Sequence, residues 1–206
     1  MYRWILCITT LLLTVSSIGK AQSSFKGGLI LGINTSQITG DDLAGYNKLS
    51  PDLGVFVRRY FGDKFSMQME MQYLGKGSHK NLNPKDSVPT LYLLRLNYIE
   101  VPLMAQYDYN SKLNIEVGPS LGVLFKSREE DLYGPLLGNN SSREQFRPFE
   151  LSFNVGGSWK FNDKWSINIR SANSVFPVRN HDQKTSYRLN KGQYSSCIMG
   201  RILMNF

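Results

Sequence analysis

Two long alternating runs joined by a short polar turn constrain this chain more than any other feature. The first is Leu96 to Tyr107, the turn is Asp108-Tyr109-Asn110-Ser111, and the second runs from Lys112 to Phe125. In the second run Leu113, Ile115, Val117, Pro119, Leu121, Val123 and Phe125 share one parity against Asn114, Glu116, Gly118, Ser120 and Gly122. In the first, Ile99, Val101, Leu103, Ala105 and Tyr107 oppose Glu100, Pro102, Met104 and Gln106. A period of two is the signature of a β-strand with one apolar and one polar face. An ordinary globular strand is about 5–6 residues long, whereas a tilted strand needs about 9–11 to cross a bilayer. The hairpin by itself fits a membrane barrel and a soluble, secreted barrel or sandwich equally well.

The rest of the chain separates the two. The same alternation recurs in Phe25 to Asn34, Asp52 to Phe61, Phe65 to Tyr73, Phe149 to Lys160, Trp165 to Arg170 and Ser196 to Phe206. Eight strands are therefore expected. Three connections are short turns, at Gly62-Asp63-Lys64, at Asn110 and at Asn162-Asp163. The other four, at 35–50, 75–90, 126–147 and 177–192, are polar stretches rich in Gly, Ser, Asn and charge. Loops of about 15–20 residues exceed the usual median of about 4–6. Short turns at one end and long loops at the other are what an outer-membrane barrel shows, and an even strand number puts both termini at the short-turn, periplasmic end. Phe61, Phe65, Tyr107, Tyr109, Trp159, Phe161, Trp165 and Phe206 gather at that end, as rings do at a membrane–water interface. Phe61-Gly62-Asp63-Lys64-Phe65-Ser66 is echoed by Phe161-Asn162-Asp163-Lys164-Trp165-Ser166, which reads as repeated turn chemistry.

Bulk properties agree. Mean hydropathy is −0.29, a value a barrel reaches easily because its apolar residues alternate with polar ones. The N-terminus reads as a leader: Arg3, an apolar stretch from Ile5 to Ile18, and Gly19-Lys20-Ala21 as a small-residue cleavage site before Gln22. Residues 1–21 are expected to be a signal peptide and 22–206 the barrel domain. Removal of Arg3 and Lys20 lowers the formal charge from +8 to about +6. Cys7 lies in the leader, so Cys197 stands alone in the mature chain and no internal disulfide forms.

The chain resembles the PorT-type outer-membrane β-barrel proteins of Gram-negative bacteria, labelled porin-family proteins. The resemblance is carried by Phe25-Lys26-Gly27-Gly28 with Gly32-Ile33-Asn34, and by Met67 to Tyr73 with Gly75-Lys76-Gly77. It is strongest at Asn97-Tyr98-Ile99-Glu100-Val101-Pro102-Leu103, followed by Gly118-Pro119 and Gly122. It covers residues 22–206 and implies an outer-membrane location. Some relatives serve protein secretion or gliding, and most have no assigned activity. The last strand, Gly200 to Phe206, also resembles a barrel sorting signal, with Phe206 as its terminal aromatic; it implies the barrel-assembly machinery as a partner.

The chemistry points away from catalysis. His79 beside Ser78 and His181 beside Asp182 are the only histidines. Adjacency in sequence does not build a Ser-His-acid triad, which forms in space. No Cys/His cluster has zinc spacing, and no phosphate-binding loop follows a strand. We expect no enzyme, no cofactor, no metal and no nucleic-acid partner. Glu70, Glu100, Glu116 and Glu150, with Arg58, Lys160, Arg170 and Arg201, lie on the polar faces of their strands. An eight-stranded interior is just wide enough for side chains to fill, so these charges are expected to form an ion-paired plug. Arg179, Lys184, Arg188 and Lys191 in the fourth loop form a candidate contact for lipopolysaccharide phosphate or an acidic partner.

The reading is all-β: an eight-stranded antiparallel transmembrane β-barrel with a structural or partner-binding role through its external loops. The alternatives are a narrow channel, an accessory of a secretion system, and a secreted soluble barrel holding a small ligand.

Overall fold

The computed structural model describes residues 25–40, 45–80, 91–132, 134–136, 145–180 and 192–206. The leader expected over residues 1–21 lies outside them. The described residues form nine strands: β1 (Phe25–Thr39), β2 (Lys48–Phe61), β3 (Phe65–Lys80), β4 (Tyr92–Asp108), β5 (Leu113–Asp131), β6 (Gly134–Pro135), β7 (Phe149–Lys160), β8 (Trp165–Ser174) and β9 (Tyr194–Asn205). β6 is a two-residue strand that folds back antiparallel onto the end of β5. The other eight form an up-and-down antiparallel meander in which each strand pairs with its chain neighbours. β1 pairs with β9 from Gly28↔Asn205 to Thr39↔Tyr194, so the first and last strands close the barrel. Closure pairs each of these eight strands on both sides, which is the condition for spanning a bilayer with strands.

The alternation now has a physical meaning. Leu53, Val55, Val57, Met67, Met69, Met71, Ile99, Val101, Leu103, Ile115, Val117, Phe153, Val155 and Ile169 all point out of the barrel and are exposed. Their neighbours in sequence are buried inside. This inverts a soluble core, and an apolar belt of this extent marks a lipid-facing wall. From Tyr107 to Ile99 the outward residues of β4 rise about 26 Å at about 3.3 Å per residue. A tilt of about 40° shortens that to about 20 Å, close to the ~25 Å apolar band of outer-membrane barrels. At the short-turn end Tyr109, Trp159, Phe161, Trp165 and Phe206 are exposed. There the Arg59 guanidinium lies between the Phe25 and Phe61 rings, 5.3 and 5.1 Å from their centroids.

The three short turns stand where the sequence places them. Asn110 Oδ1 accepts from the Lys112 and Leu113 N–H groups, and Asn162 Oδ1 accepts from those of Lys164 and Trp165. Gly62 instead adopts φ 84°. In hydrogen bonding the Asn162 turn thus repeats the Asn110 turn, not the Gly62 turn that its sequence echoes.

The loop end departs from expectation. Strands continue well past the predicted ends, and the first two long connections shrink to 40–47 and 81–91. The stretch read as a loop from Gly75 is strand to Lys80. Its β2 ladder stops at Asp52↔Leu74, while pairing with β4 continues to Lys80↔Tyr92. Above Leu74, β3 passes inside the wall. Asn34 Nδ2 and Ser36 Oγ of β1 donate to the carbonyls of Gly75 and Gly77, and Ser78 Oγ accepts from the Ile38 N–H. A Cβ on Gly75 would stand 2.8 Å from the Ser50 Cβ, so only glycine lets β3 pass beneath β2. Polar side chains replace the missing backbone ladder here, which is why the stretch looks like a loop in sequence.

Candidate functional site

The lumen is where the charged residues meet, and it is layered. Ile30, Phe56 and Leu203 pack together on the short-turn side. A second apolar group is Leu74, Ala172, Cys197 and Met199. At the loop-end mouth Ile38, Leu94, Leu96, Tyr98, Phe146 and Val178 form a third. Phe146 and Val178 come from the segments flanking β7 and β8, tied together where the Arg147 N–H donates to the Val178 carbonyl at 2.8 Å.

Charged networks fill the space between these layers. Arg170 Nη1 and Nη2 donate to Glu70 Oε2 and Oε1 at 2.8 and 2.7 Å, while its Nε donates to Glu116 Oε1 at 2.7 Å. Arg201 joins the same carboxylates, with Nη1 3.0 Å from Glu70 and Nη2 3.4 Å from Glu116, and Nε 3.9 Å from Asp52. Asn168, Gln68, Gln72 and Gln106 supply further hydrogen bonds to the group. Each guanidinium therefore bridges two strands' worth of carboxylate across the barrel. Planar, five-donor arginine suits that task in a way lysine does not.

Glu100 and Glu150 are placed elsewhere. They share Lys76, whose Nζ lies 2.5 Å from Glu100 and 2.7 Å from Glu150, with its charge 5.3 Å from the centroid of the Tyr98 ring. The eight residues predicted as one plug thus divide. Glu70, Glu116, Arg170 and Arg201 come together, and Glu100 and Glu150 form a second centre. Arg58 is buried but donates to Gln68 Oε1 at 2.8 Å, and it reaches Glu70 only through that amide. Lys160 is partly exposed at the short-turn end and pairs with Asp108 at 2.9 Å.

Lys76 and Asp52 were missed by sequence reasoning. Both have the inward parity of their strands, but Asp52 is the first residue of its expected strand and Lys76 falls in the stretch 75–90 read as a loop. Glu129 falls in the stretch 126–147 read as a loop, which is strand to Asp131, and its inward direction has a further cause. The register shifts at Asn97/Tyr98, where Tyr98 faces Leu124 and Asn97 faces Lys126. The extra residue, Phe125, inverts the parity of β5, so an odd-numbered glutamate points inward.

Glu129 also takes Arg179 out of the expected anion-contacting set. Arg179 is buried, its Nη1 2.8 Å from Glu129 Oε2 and its Nε donating to Gln193 Oε1 at 3.0 Å, with the guanidinium 4.2 Å from the Phe146 centroid. It holds the mouth together and is not offered to an external anion. Lys184, Arg188 and Lys191 lie outside the described residues, as does His181. Ser78 Oγ is engaged by the Ile38 amide. Among the described residues no group of three or more His, Cys, Asp or Glu side chains is placed to hold a metal ion. Chemically, the lumen pairs charges and fills space.

A family model described as outer membrane protein beta-barrel domain matches residues 17–179. Among solved structures, Ail, the attachment invasion locus protein of Yersinia pestis, aligns with a TM-score of 0.50 at 12% identity, over 89% of this chain and 99% of that one. The same protein in complex with the heparin analogue sucrose octasulfate aligns with identical figures. Neisserial surface protein A aligns with a TM-score of 0.46 at 12% identity, over 88% and 97%. No curated protein matches in sequence. At this identity the likeness to Ail is one of fold.

Proposed function

The chain belongs to the outer membrane protein beta-barrel domain family, and from that premise we propose a barrel that works through its outer surface, anchoring loops that contact a partner rather than conducting solute. The observation that carries this reading is the filled lumen: apolar layers at both ends enclose two ion-pair centres. An interior so occupied leaves the loops and the outer wall as working surfaces. Ail, a barrel of this fold, has been determined with a sulfated heparin analogue, and a polyanionic or protein partner is the class we propose here. In this reading there is no reaction and no catalytic residue. The loop end faces outward, residues 1–21 are removed on export, and Phe206 guides assembly. A place beside a secretion system rests on the PorT-type resemblance at Asn97 to Leu103.

The test is site-specific photo-crosslinking in native outer membranes. A crosslinker at Phe176 or Tyr46, both exposed at the loop end, is expected to capture a discrete partner. The same probe at Asn110, in a short turn, is expected to leave that partner uncaptured. Capture only from the turn site would overturn the orientation and the role together.

A further inference from the structure

Just above the lipid-facing wall, on the outside of the barrel, β4 and β5 carry a cationic group. Arg95 on β4 stands directly opposite Arg128 on β5, and Lys126 stands opposite Asn97. Arg95, Lys126 and Arg128 are all exposed. Lys48, at the top of β2, adds a charge that interacts with Arg95, although its own ammonium donates to Ser50 Oγ at 2.7 Å. Like charges facing each other across a strand pair destabilise a sheet. Among the described residues one carboxylate answers them: Glu130, 2.5 Å from Arg128 Nη2. Among those residues no carboxylate is paired with Arg95 or Lys126.

The height of this group identifies what would compensate it. The outward residues of β4 run Tyr107, Ala105, Leu103, Val101 and Ile99, and then turn polar at Asn97 and basic at Arg95. Beside that boundary the Tyr73 and Phe125 rings stand 6.0 Å apart, and the Tyr73 hydroxyl donates to Asn97 Oδ1 at 3.0 Å. Amphipathic rings mark headgroup level. A lipid whose chains lie along Ile99, Val101 and Val123 therefore brings its headgroup against Arg95, Lys126 and Arg128. Guanidinium groups recognise phosphate through paired, charge-assisted hydrogen bonds.

We propose that Arg95, Arg128 and Lys126 form an outer-wall site for the phosphate headgroup of a phosphorylated membrane lipid of the lipid A type. The proposal rests on the reading that the loop end faces the outer leaflet. It places an anion contact on the barrel wall, beside the one expected in the fourth loop.

The test uses the full-length folded protein in detergent micelles doped with diphosphorylated lipid A, or with the same lipid after phosphatase treatment. Heat-dependent loss of the compact form on unboiled gels is the readout. The wild type is expected to gain heat resistance with the phosphorylated lipid alone. Arg95→Gln/Arg128→Gln is expected to bind it on the order of tenfold more weakly, the loss of about one charged contact. In lipid-free detergent the same double variant should be at least as heat-resistant as the wild type, because removing two opposed like charges relieves repulsion. Lys160→Gln, at the other end, should behave as wild type towards the lipid. Equal protection of the double variant, or equal protection by the dephosphorylated lipid, would overturn the site. Protection by sucrose octasulfate but not by lipid A would assign the patch to a soluble polyanion instead. Because the assay is done on purified protein, a wrong orientation in the cell would show in the crosslinking and not here.

Discussion

Arg170 and Glu70 stand a hundred residues apart in the chain, yet they meet through two parallel hydrogen bonds of 2.8 and 2.7 Å in the middle of the barrel. Neither is accessible to solvent. The pair joins β8 to β3, strands that share no ladder, so it ties opposite walls of the barrel together.

Removing one member strands the other. Glu70→Ala or Arg170→Ala should destabilise the folded barrel by about 3–5 kcal/mol, the cost of leaving a buried charge uncompensated. Replacing both, as Glu70→Leu with Arg170→Met, should recover much of that loss. Urea unfolding in detergent, followed by tryptophan fluorescence, measures both. A double variant that loses the sum of the two single losses would show that the pair is not what holds these walls.

Lys76 predicts a rescue. Its ammonium answers both Glu100 and Glu150, so Lys76→Met should lower stability sharply. Glu100→Gln and Glu150→Gln together, placed in the Lys76→Met background, should restore part of it, although each is harmful in the wild type. Strictly additive losses would separate the three residues.

Gly75 tests the passage of β3 inside the wall. Gly75→Val places methyl groups against Ser50 and should cost about 1–3 kcal/mol, as overpacking does. Ser50→Gly in the same chain should return most of it. Failure of Ser50→Gly to help would place the strain somewhere other than the β2–β3 crossing.

Much of this was legible in the sequence, and the reasons differ by place. Within the bilayer-height band one face must meet lipid and the other the lumen, so alternation in Phe65 to Tyr73 or Leu113 to Val123 reports the fold directly. Eight strands, three short turns and the inward direction of Glu70, Glu116, Arg170 and Arg201 all follow from it. Above the band that constraint lapses. Gly75 to Lys80 is strand but reads as loop, because both its faces are covered by protein and side-chain hydrogen bonds to β1 stand in for a ladder with β2. Glu129 lay in a stretch that reads as loop, and the register shift at Asn97/Tyr98 inverts parity there without a mark in composition. Which acid answers which base was never legible: parity says a charge points inward but carries nothing about its height along the barrel. Lys76 therefore took the glutamates that parity alone would have offered to Arg58 and Lys160.

Cys197 offers a reporter for the mouth. It is fully buried beneath the apolar cap and is the single cysteine outside residues 1–21. In the wild type a small thiol reagent should label it only after unfolding. Arg179→Ala removes the ion pair to Glu129 and the cation stacked on Phe146, so the cap should loosen and Cys197 should label in the folded state. Rapid labelling in the unmodified protein would mean the cap is already open.

The central claim is that this barrel is closed and acts through its outside. Planar-bilayer recording of the purified wild-type protein tests it most directly. The filled lumen predicts little or no steady conductance, with openings appearing only when the mouth is disturbed, as in Arg179→Ala with Phe146→Ala. Large, stable, porin-like conductance from the wild type would contradict the account and make the lumen, rather than the surface, the working part of the protein.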